Sequence, residues 1–299
     1  MKNRKKKIIL ICLAIFLLLI ASAPAAGYLY MTHRAPGEYF DSAGVRIHYT
    51  DEGRGEPVIL VHGFAVNADI NWRRPGIAQR LAENYRVIAL DLRGHGLSGK
   101  PHDGDLYGLQ MSQDVIRLMD HLKIEKAHLV GYSLGGFIAL KNAVDHPERF
   151  ITVSPCGAGW ETPDEGFFFS AVEKAAEDLR EGRPVDPLVT AFGGERKEPG
   201  LVHKLWVRML TRYFNDSLAL AAMLERIDEL ALSESEVRKI KIPMLGIAGD
   251  NDPLAQGAKK LIGVAPNYRL FLISGADHVQ TPMHDDMINA LLKFLRDYS

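Results

Sequence analysis

His128-Leu129-Val130-Gly131-Tyr132-Ser133-Leu134-Gly135-Gly136-Phe137-Ile138-Ala139-Leu140 runs from an apolar stretch through a glycine-rich turn into a helical pattern. A bare G-x-S-x-G is a weak signal, but a strand directly before it and a helix directly after it change its meaning. A serine on so tight a turn sits in strained backbone geometry, and small neighbours are needed for helix and strand to approach. The turn also aims the free N–H groups of a helix N-terminus at any negative charge developing beside the serine. The competing reading makes Ser133 a simple helix N-cap.

Outward from this turn the same rhythm repeats. Val58–Val61, Arg86–Leu90, Phe150–Val153, Met244–Ala248 and Leu270–Ile273 are short apolar runs, as strands covered on both faces should be. Val45–Thr50 alternates with period two, as a half-exposed strand does. Amphipathic segments near 107–122, 134–145, 255–263 and 283–297 lie between the runs. Strands alternating with helices predict a doubly wound α/β sheet with its ligand site at the carboxyl ends of the strands. Residues 157–239 break the rhythm and contain no convincing strand. Leu201, Val202, Leu205, Trp206, Met209, Leu210, Tyr213 and Phe214 share one broad helical face, Phe167–Glu181 is a second helix candidate, and Ser217 reads as the N-cap of a third over 218–232. An all-helical insertion between two strands of one sheet is most simply a cap over the strand ends.

Composition narrows the function. The chain has 299 residues, 47% hydrophobic and 24% charged, which is ordinary for a globular protein. Six of its 36 basic residues and none of its 37 acids fall in residues 1–34, so the body carries a net charge of −7 and repels nucleic acid. Two cysteines, Cys12 and Cys156, make no disulfide framework, and no Cys/His pair has zinc spacing. No cofactor or metal is implied.

A serine hydroxyl is a poor nucleophile until a base, itself oriented by an acid, takes its proton. On this architecture the order is serine, acid, histidine. His278 follows the last apolar run and precedes the final helix; Asp250 and Asp252, after the penultimate run, both qualify as the acid. His62-Gly63-Phe64 ends the run Val58–Val61, and a glycine there leaves the Phe64 N–H free to face the site beside that of Leu134, a pair suited to an oxyanion hole. His62 and the loop Asp91-Leu92-Arg93-Gly94-His95-Gly96-Leu97-Ser98-Gly99 read as bracing beneath it.

With these residues in order, the chain from about Glu38 to Tyr298 resembles the α/β-hydrolase superfamily, in the serine branch with an HG-x oxyanion loop, a D-x-R-G-x-G-x-S loop and a helical cap. The resemblance implies an eight-stranded, mostly parallel sheet, Ser133 as nucleophile, His278 as base and Asp252 as acid. Gly249 to Asp252 matches the family's G-x-x-D spacing, and a loop position beyond the strand end suits a carboxylate that must reach across to His278; Asp250 is then a solvated or loop-bracing residue. Relatives with aspartate at the elbow are dehalogenases and epoxide hydrolases, and serine at 133 argues against both. Asp277 stands where many relatives have glycine, and a carboxylate there raises the basicity expected of His278. The implied activity is hydrolysis of carboxylic esters, with apolar acyl groups, through an acyl-enzyme; the alternatives are a carbon–carbon bond hydrolase or acyltransferase with the same triad, or a hydrolase-fold binding protein without turnover.

Residues 1–34 read as an address: a basic n-region, then Ile8–Ala21 without a polar side chain, the apolar run continuing to Met31. That span is about 36 Å of helix against a hydrocarbon core of about 30 Å. The expectation is a signal-anchor with a single membrane helix and the hydrolase domain extracytoplasmic, or secretion after cleavage. The domains are then 1–34, a core made of 35–156 and 240–299, and a cap over 157–239. The partners expected are a small-molecule ester and the membrane, with no nucleic acid.

Overall fold

A computed structural model describes residues 34–160, 167–183, 205 and 215–299. Pro36–Ser299 forms one compact unit and carries the sheet. Its strands are β1 Glu38–Ser42, β2 Val45–Gly53, β3 Pro57–Val61, β4 Arg86–Leu90, β5 Ala127–Tyr132, β6 Phe150–Cys156, β7 Met244–Gly249 and β8 Tyr268–Ile273. They form one sheet in the order β1-β2-β4-β3-β5-β6-β7-β8. β2 pairs antiparallel with β1 and with β4, and all later pairings are parallel. This is the doubly wound, mostly parallel eight-stranded sheet expected.

Most of the apolar runs become strands because both faces of the sheet are covered; the exception to the expected burial is Leu270–Ile273, which forms the edge strand β8 and leaves Phe271 and Leu272 exposed. Ile59, Val61, Ile88, Leu90 and Leu129 point into one hydrophobic cluster, and their neighbours Val58, Leu60, Val87, Ala89 and Val130 into another. On the first face lie α2 (Leu109–His121) and α3 (Leu134–Asp145). The second face takes α1 (Ile77–Ala82) and the last helix, Asp285–Arg296, whose Met287, Ile288, Leu291, Phe294 and Leu295 recur at helical spacing. Truncating such a fully buried side chain, Leu291→Ala for example, costs about 2–5 kcal/mol.

Between β6 and β7 the described helices are α4 (Phe167–Arg180), α5 (Ser217–Leu224) and the single turn α6 (Glu234–Val237); after β7 come α7 (Ala255–Lys260) and α8, the last helix. Val172, Ala175, Ala176 and Leu179 of α4 and Leu220–Leu224 of α5 join the first cluster. The face expected over 201–214 lies, apart from Leu205, outside the described residues. The cap of α5 differs from expectation: Asp216, not Ser217, is the N-cap, its carboxylate accepting from the Leu218 and Ala219 N–H groups at 3.1 Å. A carboxylate answers the helix dipole as well as the two orphan donors, which a hydroxyl does less well.

The expectation of a membrane-anchored chain is corrected. Among the described residues no helix is long and apolar enough to cross a membrane. The longest, α4, has 14 residues, about 21 Å, short of a hydrocarbon core of about 30 Å. Ile8–Met31, on which the anchor and the extracytoplasmic placement rested, lies outside the described residues.

Candidate active site

The strand order sets the site. β3 pairs with β4 on one side and β5 on the other, so the chain reverses its winding direction there and the loops after β3 and β5 diverge over the sheet edge. Val61 is in register with Gly131, which puts His62-Gly63-Phe64 beside the turn that follows Tyr132. β7 and β8 are neighbours with Gly249 opposite Ile273, so the loops bearing Asp252 and His278 leave the sheet together. Those loops are laced by Asp250 N–H to Ile273 O and Asn251 N–H to Ala276 O, each 3.1 Å. A side chain on Gly249 would overlap the Ala276 carbonyl.

Ser133 occupies the turn with φ 54° and ψ −116°, a left-handed conformation that costs a non-glycine residue about 1–3 kcal/mol. Its neighbours explain how the strain is held. A Cβ on Gly131 would strike the Gly135 carbonyl, and one on Gly135 the Val61 carbonyl, so strand, turn and helix pack backbone to backbone. Ser133 N–H donates to Cys156 O at 2.8 Å, pinning the turn to β6. The Ser133 side chain makes no capping bond to α3. Its Oγ lies instead 3.0 Å from His278 Nε2.

His278 Nδ1 is 2.8 Å from Asp252 Oδ2, and the other carboxylate oxygen, Oδ1, accepts from Leu254 N–H at 2.9 Å. All three residues are buried, at 6% exposure for Ser133, 8% for His278 and 3% for Asp252. Asp250 is exposed and accepts from Gly275 N–H at 2.7 Å, bracing the β8 turn. Asp277 Oδ1 accepts from the Val279 and Gln280 N–H groups at 2.9 and 2.8 Å, so its carboxylate closes the turn after His278.

The remaining described histidines have other partners. His48 meets Asp91, His102 meets Asp216, His121 stacks on Phe40, His128 meets Thr152 and Glu56, His146 meets Gln113, and His284 caps α8. His62 and His95 brace the loop after β3. His62 Nε2 accepts from Leu92 N–H at 2.9 Å while its Nδ1 bonds Gly63 O at 2.7 Å. His95 Nε2 accepts from Ala65 N–H at 3.1 Å while its Nδ1 bonds Arg93 O. Burial lowers the pKa of both rings, His62 below its ordinary value and His95 to about 3.

Asp91 anchors the next loop, accepting from His48 Nδ1, Leu97 N–H and Ala68 N–H. Burial alone would raise its pKa, but these bonds and the neighbouring His62 outweigh it and bring it to about 2. Gly96, at φ +50°, is required because a Cβ there would run into that carboxylate. Arg93, fully buried, donates from Nε and Nη2 to Asp114 at 2.7 and 2.5 Å and from Nη1 to Leu106 O.

Phe64 is half-buried and its N–H has no protein acceptor among the described residues. Leu134 is the first residue of α3, where N–H groups have no intrahelical partner. A Cβ on Gly63 would come 3.2 Å from Ser133 Cβ, so this loop runs directly against the serine. Gly63 N–H is taken by Asn71 Oδ1 at 2.9 Å. Three contributors have no motif in the sequence: Asn71, Tyr132, whose hydroxyl donates to the His278 carbonyl, and Asn215, whose Nδ2 donates to Ala65 O at 2.8 Å. Among the described residues no group of three or more His, Cys, Asp or Glu side chains is placed to hold a metal ion. Chemically, the arrangement lets a proton pass between Ser133 Oγ and His278 Nε2, 3.0 Å apart.

A family model described as alpha/beta hydrolase fold matches residues 56–281. Among curated proteins, a 2-hydroxymuconate semialdehyde hydrolase from Pseudomonas sp. is 40% identical over 115 residues, 38% of this chain and 40% of that one. A putative non-heme chloroperoxidase from Synechocystis sp. is 27% identical over 84% of this chain and 95% of its own. The chain spans less than half the length of several curated relatives that it matches. An esterase structure from Exiguobacterium antarcticum superposes with a TM-score of 0.73 over 87% of this chain and 100% of the other; at 22% identity this likeness is one of fold.

Proposed function

The chain belongs to the α/β-hydrolase family, and on that premise we propose that it is a serine hydrolase that cleaves carboxylic esters through an acyl-enzyme. The observation that carries the reading is the hydrogen-bonded series Ser133 Oγ, His278 Nε2, His278 Nδ1, Asp252 Oδ2, with the serine on a strained strand-to-helix turn. In this reading His278 takes the Ser133 proton as Oγ attacks the ester carbonyl, and Asp252 holds the ring in the tautomer that can accept it. The Phe64 and Leu134 N–H groups receive the charge that develops on the carbonyl oxygen. His278 then protonates the leaving alcohol, and water, deprotonated by the same ring, releases the acid. Phe64 follows the glycine that runs against the serine, and an apolar, half-buried residue in that loop favours an apolar acyl group. Turnover of p-nitrophenyl acetate and butyrate, with stoichiometric labelling by a fluorophosphonate, tests the proposal; failure to label would refute it.

A second reading is supported by the 40% identity to a 2-hydroxymuconate semialdehyde hydrolase. In that case the same three side chains would serve carbon–carbon bond cleavage. Faster turnover of 2-hydroxymuconate semialdehyde than of any p-nitrophenyl ester would favour it.

A further inference from the structure

The loop after β3 holds a second strained residue. Ala65 has φ +57°, in the left-handed region that a residue with a Cβ avoids. Left to itself, the chain at Ala65 would relax to negative φ and swing the preceding peptides, including the one carrying the Phe64 N–H. Its neighbours are tied on both sides: Gly63 N–H to Asn71 Oδ1 at 2.9 Å, Ala65 N–H to His95 Nε2 at 3.1 Å, and Ala65 O to Asn215 Nδ2 at 2.8 Å. The first two ties come from the segments that follow β3 and β4. The third comes from the helical insertion, 150 positions away in the chain. Asn215 is itself well anchored, because the next residue, Asp216, caps α5, and Ala219–Leu224 of that helix are buried.

We propose that Asn215 is a positioning residue: through its bond to Ala65 O the helical insertion holds the oxyanion loop in the conformation that presents the Phe64 N–H. The inference rests on the reading of Phe64 as an oxyanion donor. It makes the insertion part of the catalytic apparatus, not only a cover for the substrate. Since the oxyanion exists only in the transition state, loss of the tie should lower kcat and leave KM nearly unchanged.

The test uses the full chain, p-nitrophenyl butyrate and a fluorophosphonate probe. Asn215→Ala should slow kcat and the labelling rate about tenfold, with KM within about twofold of wild type. Ala65→Gly removes the strain that the tie opposes, since glycine takes positive φ freely. The double variant Asn215→Ala with Ala65→Gly should therefore recover to within about threefold of wild type. A control breaks a similar bond elsewhere: Asn267 Nδ2 donates to Lys241 O at 2.6 Å ahead of β8, and Asn267→Ala should leave kcat unchanged. Unchanged rates in Asn215→Ala, or a loss that Ala65→Gly does not restore, overturn the proposal. If wild type itself fails to label, the serine-hydrolase reading falls, and the role of Asn215 falls with it.

Discussion

Replacing Asp252 by asparagine changes one atom in a place where the structure dictates which atom. Oδ1 of Asp252 accepts from Leu254 N–H at 2.9 Å, and Oδ2 faces His278 Nδ1 at 2.8 Å. In Asp252→Asn the amide oxygen must stay on Leu254, because the NH2 group cannot accept that bond. The NH2 then points at His278 Nδ1 and forces Nδ1 to act as acceptor. The ring proton moves to Nε2, the atom 3.0 Å from Ser133 Oγ, and the imidazole can no longer take the serine's proton. In the serine-protease triad the equivalent tautomer error lowers kcat by about 10⁴. We expect at least a hundredfold here, about 2.7 kcal/mol of transition-state stabilisation. Asp250→Asn keeps an oxygen to accept from Gly275 N–H and should change kcat less than about fivefold. Steady-state kcat on p-nitrophenyl butyrate, for variants with matched circular dichroism, decides the matter. A reversed ranking, or an Asp252→Asn enzyme within tenfold of wild type, would refute the reasoning.

Asp114→Asn should destabilise the fold by about 3–5 kcal/mol in urea unfolding, because it removes the countercharge of the fully buried Arg93. Replacing both members, Arg93→Met with Asp114→Leu, should cost less than that single change, and the opposite order would show that the pair is not set by desolvation. Acid should weaken the fold through His95. Unfolded, its imidazole gains a proton near pH 6.5; folded, not until about 3. The unfolded state therefore binds more protons in that window, and stability is lost as pH falls from 6.5 towards 3, by up to about 1.4 kcal/mol per unit. His95→Asn, which accepts from Ala65 N–H without titrating, should flatten part of that slope in urea melts at pH 7, 5.5 and 4.5; an unchanged slope would contradict the assignment.

The sequence revealed the parallel part of the sheet because strands buried on both faces are written as continuous apolar runs ending in Gly or Asp. It revealed the site for a related reason: glycines 131, 135 and 63 stand at close approaches of strand, turn and loop, and His278 stands in the loop between the last strand and the last helix. β1 is missed because Glu38–Ser42 keeps only two buried residues and has no apolar run. The turn joining it to β2 puts Ala43 and Gly44 at positive φ, and alanine is no turn signal. Asp216 and Ser217 are adjacent cap-formers, and only the carboxylate's bonds to two N–H groups separate them. Asn71, Tyr132 and Asn215 are single polar residues whose partners are backbone atoms, and two of those partners lie about 150 positions away, so no local pattern marks them.

A nucleophilic Ser133 leaves a covalent signature. Intact-mass and peptide-mapping mass spectrometry after fluorophosphonate treatment tests it most directly, on wild type, on Ser133→Ala and on heat-denatured wild type. We expect one adduct per chain, on Ser133, absent from Ser133→Ala and from denatured protein, with p-nitrophenyl butyrate turnover lost in step with labelling. An adduct on another residue, or a Ser133→Ala variant that retains more than a tenth of wild-type turnover, would contradict that role for Ser133.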